Sequence, residues 1–354
     1  MRFGLAAAAT SSHPRSGVNG VFMKAFASAA TAVASCGVSL AGRVYLITGS
    51  SNGVGLECAK ALAGGGGTVV MACRAGEKAN AAKQAVEAAA VAPAAVHLLP
   101  CDLGAKESIK ACVASFLALD LPLHALVNNA GCNGIPEWGA HTPNIETQFA
   151  VNFLGHFLLT ELLHAKLAAT EGSRVVNIAS EAHRRITAWE PLPPPRETYD
   201  PLRAYAFSNL CRILWTRAKA AKLAEAGAPP PYPVVCLHPG VAGGTGMIQH
   251  MSVLLLLRQL LLVVRHELRG ALKGQSVAQI AACQTALAVA PIEQVRAISG
   301  RYLNGNRNVR VAQPACEWAE LWGALGTAES PAELAEDDAR AEEVFAFAQR
   351  HFGL

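Results

Sequence analysis

Thr48-Gly49-Ser50-Ser51-Asn52-Gly53-Val54-Gly55 has the residue types of an anion site. Three glycines between the apolar run Arg43 to Ile47 and a helix-like segment leave backbone N–H groups bare beside the positive end of a helix. A nucleotide phosphate fits such a turn. The spacing is not the G-x-G-x-x-G fingerprint, and the alternative is a tight strand-to-helix bend with no ligand.

To present that turn the chain needs a strand before it and a helix after it, and the pattern repeats along the chain. Strands are expected at Arg43 to Thr48, Thr68 to Ala72, Ala95 to Pro100, Ala125 to Asn128, Ser173 to Ala179, Val234 to Leu237 and Ser299 to Leu303, with helices between. This predicts an α/β domain of three layers, a parallel sheet covered by helices on both faces. No repeat of solenoid period occurs, so a single domain is read over 42–310. An N-terminal segment, 1–41, precedes it and a helical extension, 311–354, follows.

Composition narrows the partners. The 354 residues are 52% hydrophobic and 6% aromatic, with a net charge of +4 from 30 basic and 26 acidic side chains. That balance argues against nucleic acid as a partner. Ten cysteines lack C-x-x-C or Cys/His metal spacing and read as buried thiols in a reducing compartment, and no metal is expected. The first acidic residue is Glu57, whereas Arg2, Arg15, Lys24 and Arg43 precede it among Ala, Ser and Thr. Such a segment reads as an organelle transit peptide, chloroplast favoured over mitochondrion, with a cytoplasmic or membrane-associated protein as the alternative. Ala25 to Leu40 is too short and too weakly apolar to span a bilayer.

Two insertions decorate the domain. Trp189 to Pro195 is too proline-rich for a helix or inner strand and is expected to be a surface loop. Ser252 to Val264 is leucine-rich, and on a helix Arg258, Arg265 and Arg269 would share the opposite face. That helix either lies in a membrane interface, closes over an apolar ligand, or packs in the core. Near the C-terminus Ser330, Pro331 and Glu333 form an expected helix start, and the acidic run Glu329 to Glu343 reads as a solvated face.

Further stretches join the glycine turn in a fixed order. Asp102 and Leu103 follow the third strand, Asn128-Asn129-Ala130-Gly131 the fourth, and Asn152 lies in a helix before the fifth. Ser180 ends the fifth strand, Tyr205 follows 25 residues later, and His238-Pro239-Gly240 ends the sixth. Together they resemble the short-chain dehydrogenase/reductase family over nearly all of residues 43 to 305. Met71-Ala72-Cys73-Arg74, Val151 to Thr160, Asn177 to His183, Leu237 to Val241 and Ser299 to Leu303 look most like its retinol dehydrogenase-like and protochlorophyllide reductase-like branch.

The resemblance implies a Rossmann-type doubly wound sheet and an oxidoreductase acting on a lipophilic carbonyl or alcohol. It places Ser180 on the substrate carbonyl, Tyr205 as proton donor or acceptor, and Asn152 as holder of a relay water. Gly49, Ser51 and Gly55, with Asn52, Gly53 and Val54 between them, would line the pyrophosphate. Asp102 and Leu103 would meet adenine, and Asn129, Ala130 and Gly131 the adenosine ribose. Pro239, Gly240 and, more weakly, Thr245 would reach the nicotinamide. Ser and Tyr together supply the polarisation and the proton that carbonyl reduction needs. Arg74, where an NAD-binding domain carries an acid, points to NADP(H), because guanidinium suits a 2′-phosphate. Peripheral membrane contact and a homodimer are both compatible with this reading.

One position departs from the family. Its active-site helix carries Tyr-x-x-x-Lys, and here the fifth residue is Asn209. An ammonium on the tyrosine's own face would lower the phenol pKa, whereas Asn209 offers hydrogen bonds to ribose without charge. Arg212, three residues further on, is a turn deeper and planar and is not expected to take the lysine's place. Either Tyr205 acts as a neutral acid in reduction, or the chain is a catalytically weak NADP-binding protein that serves as a sensor or scaffold.

Overall fold

The computed structural model describes residues 24–91, 96–139, 145–227, 229–240, 276–304, 310–311 and 333–354. Seven strands form one parallel sheet: β1 (Val44–Thr48), β2 (Thr68–Cys73), β3 (Val96–Pro100), β4 (Ala125–Asn128), β5 (Arg174–Ile178), β6 (Val234–His238) and β7 (Tyr302–Asn304). Their spatial order is β3-β2-β1-β4-β5-β6-β7. This is the doubly wound sheet expected. Its topological switch point lies between β1 and β4, where Tyr45 pairs with Ala125 and Ile47 with Val127. In such sheets ligands sit outside the strands' carboxyl ends at that point.

All five β1 residues are buried, because a parallel sheet has helices on both faces. Tyr45 and Ile47 pack on one side with Cys58 and Leu62 of α2 (Gly53–Gly64), the layer that also holds α1 (Ala29–Ala34) and α3 (Glu77–Ala89). Val44 and Leu46 pack on the other with Phe116 of α4 (Lys106–Ala118) and Leu158 of α5 (Gly155–Leu162). Behind α5 come α6 (His164–Ala169) and α7 (Pro201–Glu225), and then α8 (Val277–Val289) and α9 (Ile292–Arg296) on the first face. Helix α10 (Asp338–Phe352) closes the described chain.

One expectation needs correction. Strand β7 begins at Tyr302 rather than Ser299, because the preceding residues form a turn in which Gly300 has φ +79° and donates to the Val234 carbonyl at 2.8 Å. Of the expected helix start, Ser330 and Pro331 lie outside the described residues and Glu333 opens a 3-10 turn to Ala335; helix α10 follows Asp337, whose side chain accepts from the Arg340 N–H at 3.0 Å. Its acidic Asp338 and Glu342 are exposed, as expected of a solvated face, and pair with Arg217 at 2.6 Å and Lys222 at 2.9 Å, while Val344 and Phe345 are buried.

The proline-rich 189–195 stretch is a loop. The N-terminal 1–23, Thr245 and the leucine-rich 252–264 lie outside the described residues. Among the described residues no helix is long and apolar enough to cross a membrane.

Candidate active site

The glycine turn leaves β1 at the switch point. Gly49 has φ +66°, and a Cβ there would also lie 2.8 Å from the Ala130 backbone. A Cβ on Gly55 would lie 2.4 Å from the Asn129 amide nitrogen and 2.7 Å from the Gly49 carbonyl. These two positions therefore need glycine so that the β1 and β4 loops can close on each other. The Thr48 hydroxyl accepts the Asn129 N–H at 2.9 Å and the Ala130 N–H at 3.0 Å, and lies 2.9 Å from His156 Nε2.

Asn52 begins α2 without a side-chain cap bond, and the helix's first turn carries no acid. Its leading N–H groups therefore have no side-chain partner here, next to Ser51, Gly53 and Val54, and nothing repels an anion. These residues fit a dinucleotide phosphate. Arg74, exposed just beyond β2, forms no ion pair or hydrogen bond with any described residue. Asp102 accepts from the Gly104 N–H at 2.9 Å through one carboxylate oxygen. Leu103 is buried, and its carbonyl faces Gly155. Gly131 follows Ala130, while Pro239 and Gly240, the latter at φ +125°, lead out of β6.

The Asn129 side chain turns toward the fold. Its Nδ2 donates to the Thr48 carbonyl at 2.9 Å, and its Oδ1 accepts from Gln284 Nε2 of α8 at 3.2 Å. This tie is what the structure shows for the side chain expected at the adenosine ribose.

Ser180 leaves β5 and caps a 3-10 turn, Glu181–Arg185, by accepting from the Ala182 N–H at 3.2 Å. Across from it, α7 starts with Pro201 after Asp200, whose carboxylate takes the Leu202 and Arg203 N–H groups. That start fixes the phase of a 25-residue helix and places Tyr205, Ser208 and Asn209. Tyr205 is 6% exposed, and Ser180 is among the groups that act on its phenol. Burial pushes its phenol above the ordinary tyrosine pKa, while the Ser180 hydroxyl, the Arg212 and Arg185 charges and the Asn209 amide pull it back. The balance leaves a neutral phenol, a proton donor.

Asn152 lies in a π-helical turn, Phe149–Leu154, directly before α5. Such turns recur at functional sites because they re-aim one residue. Here Asn152 Oδ1 accepts the Cys132 N–H at 2.9 Å, and Nδ2 donates to the Cys132 carbonyl and to Ser208 Oγ, both at 3.0 Å. The amide thus ties the loop after β4 to α7. Asn209 Nδ2 donates to the Tyr205 carbonyl at 2.8 Å.

Sequence reasoning gave no role to His156, Gln284 or Ser208. His156 lies inside the quoted Val151 to Thr160 stretch, and its placement between Thr48 and Arg212 is a tertiary fact. Gln284 is 155 residues from Asn129 and has no local signal. Glu181 accepts from Tyr302 at 2.9 Å beneath Ser180, where His183 and His238 are also buried.

Comparison with known proteins agrees with this geometry. A family model described as short chain dehydrogenase matches residues 43–191. The chain is 34% identical over 270 residues to retinol dehydrogenase 12 of Homo sapiens, an alignment covering 75% of this chain and 79% of that protein. It is 32% identical over 273 residues to retinol dehydrogenase 11 of Mus musculus, covering 77% and 80% respectively. Among solved structures, 3-ketoacyl-(acyl-carrier-protein) reductase from Brucella melitensis, complexed with NADH, matches with a TM-score of 0.56 and 25% identity, over 77% of this chain and 100% of that one.

Proposed function

The chain belongs to the short-chain dehydrogenase/reductase family, in its retinol dehydrogenase-like branch, and we propose that it is an NADPH-dependent reductase of a lipophilic carbonyl compound. Membership makes it an NAD(P)-dependent oxidoreductase; the nucleotide, the acid and the substrate class are the proposal. The observation that carries it is the buried Tyr205 phenol, on which Ser180 at the end of β5 acts, at the carboxyl edge of the sheet that also carries the glycine turn.

When bound, the nicotinamide supplies hydride. Ser180 holds and polarises the carbonyl oxygen, and Tyr205 gives that oxygen its proton. Reduction starts from the protonated phenol, which burial favours. Asn152 keeps the Cys132 loop against α7, so the two hydroxyls stay in register. Arg74 supports NADPH over NADH, as an exposed guanidinium beside the end of β2 with no other described partner. The lipophilic substrate follows from relatives named for retinol and from the leucine-rich segment of the sequence.

The test is NADPH oxidation by the purified chain over a panel of lipophilic aldehydes and ketones, with NADPH binding measured in parallel. Turnover that disappears in Tyr205→Phe supports the reading. Intact NADPH binding with no turnover on any carbonyl overturns it in favour of a binding protein.

A further inference from the structure

Helix α7 has no cation one turn beyond Tyr205. Asn209 stands there, and its amide donates to the Tyr205 carbonyl of the same helix. Three residues on, Arg212 is 2% exposed, directly behind the site. Its guanidinium donates to the carbonyls of Ile178, of Asn128 at 2.7 Å and of Ala130 at 3.4 Å, and Nη2 lies 2.9 Å from His156 Nδ1. These carbonyls lie at the carboxyl ends of β4 and β5, the strands that lead into Asn129 to Gly131 and Ser180.

The charge of Arg212 is not cancelled locally. Its partners are carbonyl dipoles and an imidazole, and among the described residues it forms no salt bridge. His156 is held neutral, first by burial and then by the Arg212 charge itself. Burial lowers the guanidinium pKa only to about 10, so Arg212 is a cation at neutral pH. A buried cation without an anion is costly to keep, and capping strand ends does not require one. The group on the same helix, seven residues before Arg212 and acted on by its charge, that becomes anionic during the reaction is Tyr205: its proton leaves for the carbonyl oxygen, and the O–H electron pair stays on Oη.

We infer that Arg212 supplies the positive charge of this active site, acting from inside the fold to steady negative charge on Tyr205 Oη while Asn209 contributes hydrogen bonds alone. The inference rests on the reductase reading above. Arg212 is a positioning residue, since it acts through Tyr205. The other groups facing Tyr205 are the neutral Ser180 and Asn209 and the cation Arg185 of the 3-10 turn. Arg185 is the competing source of charge.

Two substitutions separate charge from scaffolding. Arg212→Lys keeps the charge but cannot reproduce the fork onto three carbonyls, whereas Arg212→Gln loses both. Tyr205 is titrated by tyrosinate absorbance in the full chain without cofactor or substrate, with Tyr205→Phe as the blank, and the pH profile of carbonyl reduction is recorded separately. Arg212→Gln is expected to raise the Tyr205 midpoint by about one unit or more, a tenfold change, with Arg212→Lys nearer the parent and Arg185→Gln shifting it less. Equal midpoints for the parent and Arg212→Gln, or a larger shift from Arg185→Gln, overturn the inference. If Arg212→Gln does not fold, Asn209→Lys decides. A change in turnover below about threefold shows that the site already has its cation, and a gain above about tenfold shows that it lacked one. A chain that binds NADPH but reduces nothing sinks the reductase reading, and the tyrosinate titration still decides the role of Arg212.

Discussion

The Asn209 side chain donates to the Tyr205 carbonyl at 2.8 Å, so the amide that stands in the lysine's place is tied to its own helix. Removing it costs one hydrogen bond in a helix that keeps its backbone ladder, about 1 kcal/mol. Asn209→Ala is therefore expected to change carbonyl turnover by less than about tenfold. Tyr205→Phe removes the proton donor and is expected to cost roughly 10²- to 10⁴-fold. Ser180→Ala removes one oxyanion donor and is expected to cost about 10²- to 10³-fold. Single-turnover rates alongside NADPH affinities check all three. An Asn209→Ala loss as large as that of Tyr205→Phe would mean that the amide reaches the reacting atoms.

The pH dependence follows from the direction of the Tyr205 shift. Its folded pKa is raised, chiefly by burial, so the protonated phenol persists above the ordinary tyrosine range. The stability linked to that proton is fully present below the unfolded value near 10 and is lost only as pH rises through the raised folded value. Carbonyl reduction uses the protonated form and is expected to be flat from about pH 6 to about pH 9. Alcohol oxidation uses the phenolate and should climb with pH across the same range. Initial rates in both directions test this, and a reduction rate that halves near pH 7 would contradict it.

A different pH effect acts on the fold. His238 is 4% exposed beneath Ser180, and burial lowers its pKa to about 4, helped by His183 and opposed by Glu181. A depressed folded value means that the neutral imidazole contributes stability above the unfolded pKa near 6.5, and that this is lost as pH falls toward 4. The shift corresponds to roughly 3 kcal/mol for this one group, as an order of magnitude. Urea midpoints should fall steeply between about pH 6.5 and about pH 4. His238→Gln should flatten that fall, and an unchanged slope would remove His238 as its source.

Arg74 provides the cofactor test. It is exposed and without a described partner at the end of β2, so its replacement disturbs little else. Arg74→Ala is expected to weaken NADPH binding about tenfold or more, in line with a charge-assisted hydrogen bond of about 1.5–3 kcal/mol, and to leave NADH binding nearly unchanged. Equilibrium titration with both nucleotides reads this directly. Equal loss for both would place Arg74 outside the discrimination.

What the sequence disclosed follows the range of each interaction. The positions of most strands and the glycine turn were legible because apolar runs and glycine spacing are local signals. The start of β7 was less so, because the turn at Gly300 consumes residues that read as strand. Arg212 was visible on the helix face of Tyr205, but its burial against three carbonyls depends on where β4 and β5 end. The Asn129 to Gln284 bond joins residues 155 apart and has no signature in either neighbourhood. The bonds of the Asn152 amide to Cys132 and Ser208, set by the π-helical turn, join residues 20 and 56 apart and had no local signal.

Gly155 offers the last test, on the contact that sets α5 against the end of β3. It is helical, so backbone freedom is not the reason for a glycine there. A Cβ at this position would lie 2.2 Å from the Leu103 carbonyl oxygen and 2.8 Å from the Leu103 Cβ. The nearest atom is backbone, which cannot rotate aside, so Gly155→Ala must separate α5 from the Asp102 to Leu103 turn. Overpacking of this kind costs typically 1–3 kcal/mol and occasionally more. The helix-propensity gain of alanine over glycine, about 1 kcal/mol, offsets only part of it. The π-helical turn carrying Asn152 runs straight into Gly155, so the shift should also reach the tie between Cys132 and Ser208. The expected result is a net loss of stability in urea together with slower carbonyl reduction. A variant as stable and as active as the parent would show that the Leu103 backbone yields at little cost.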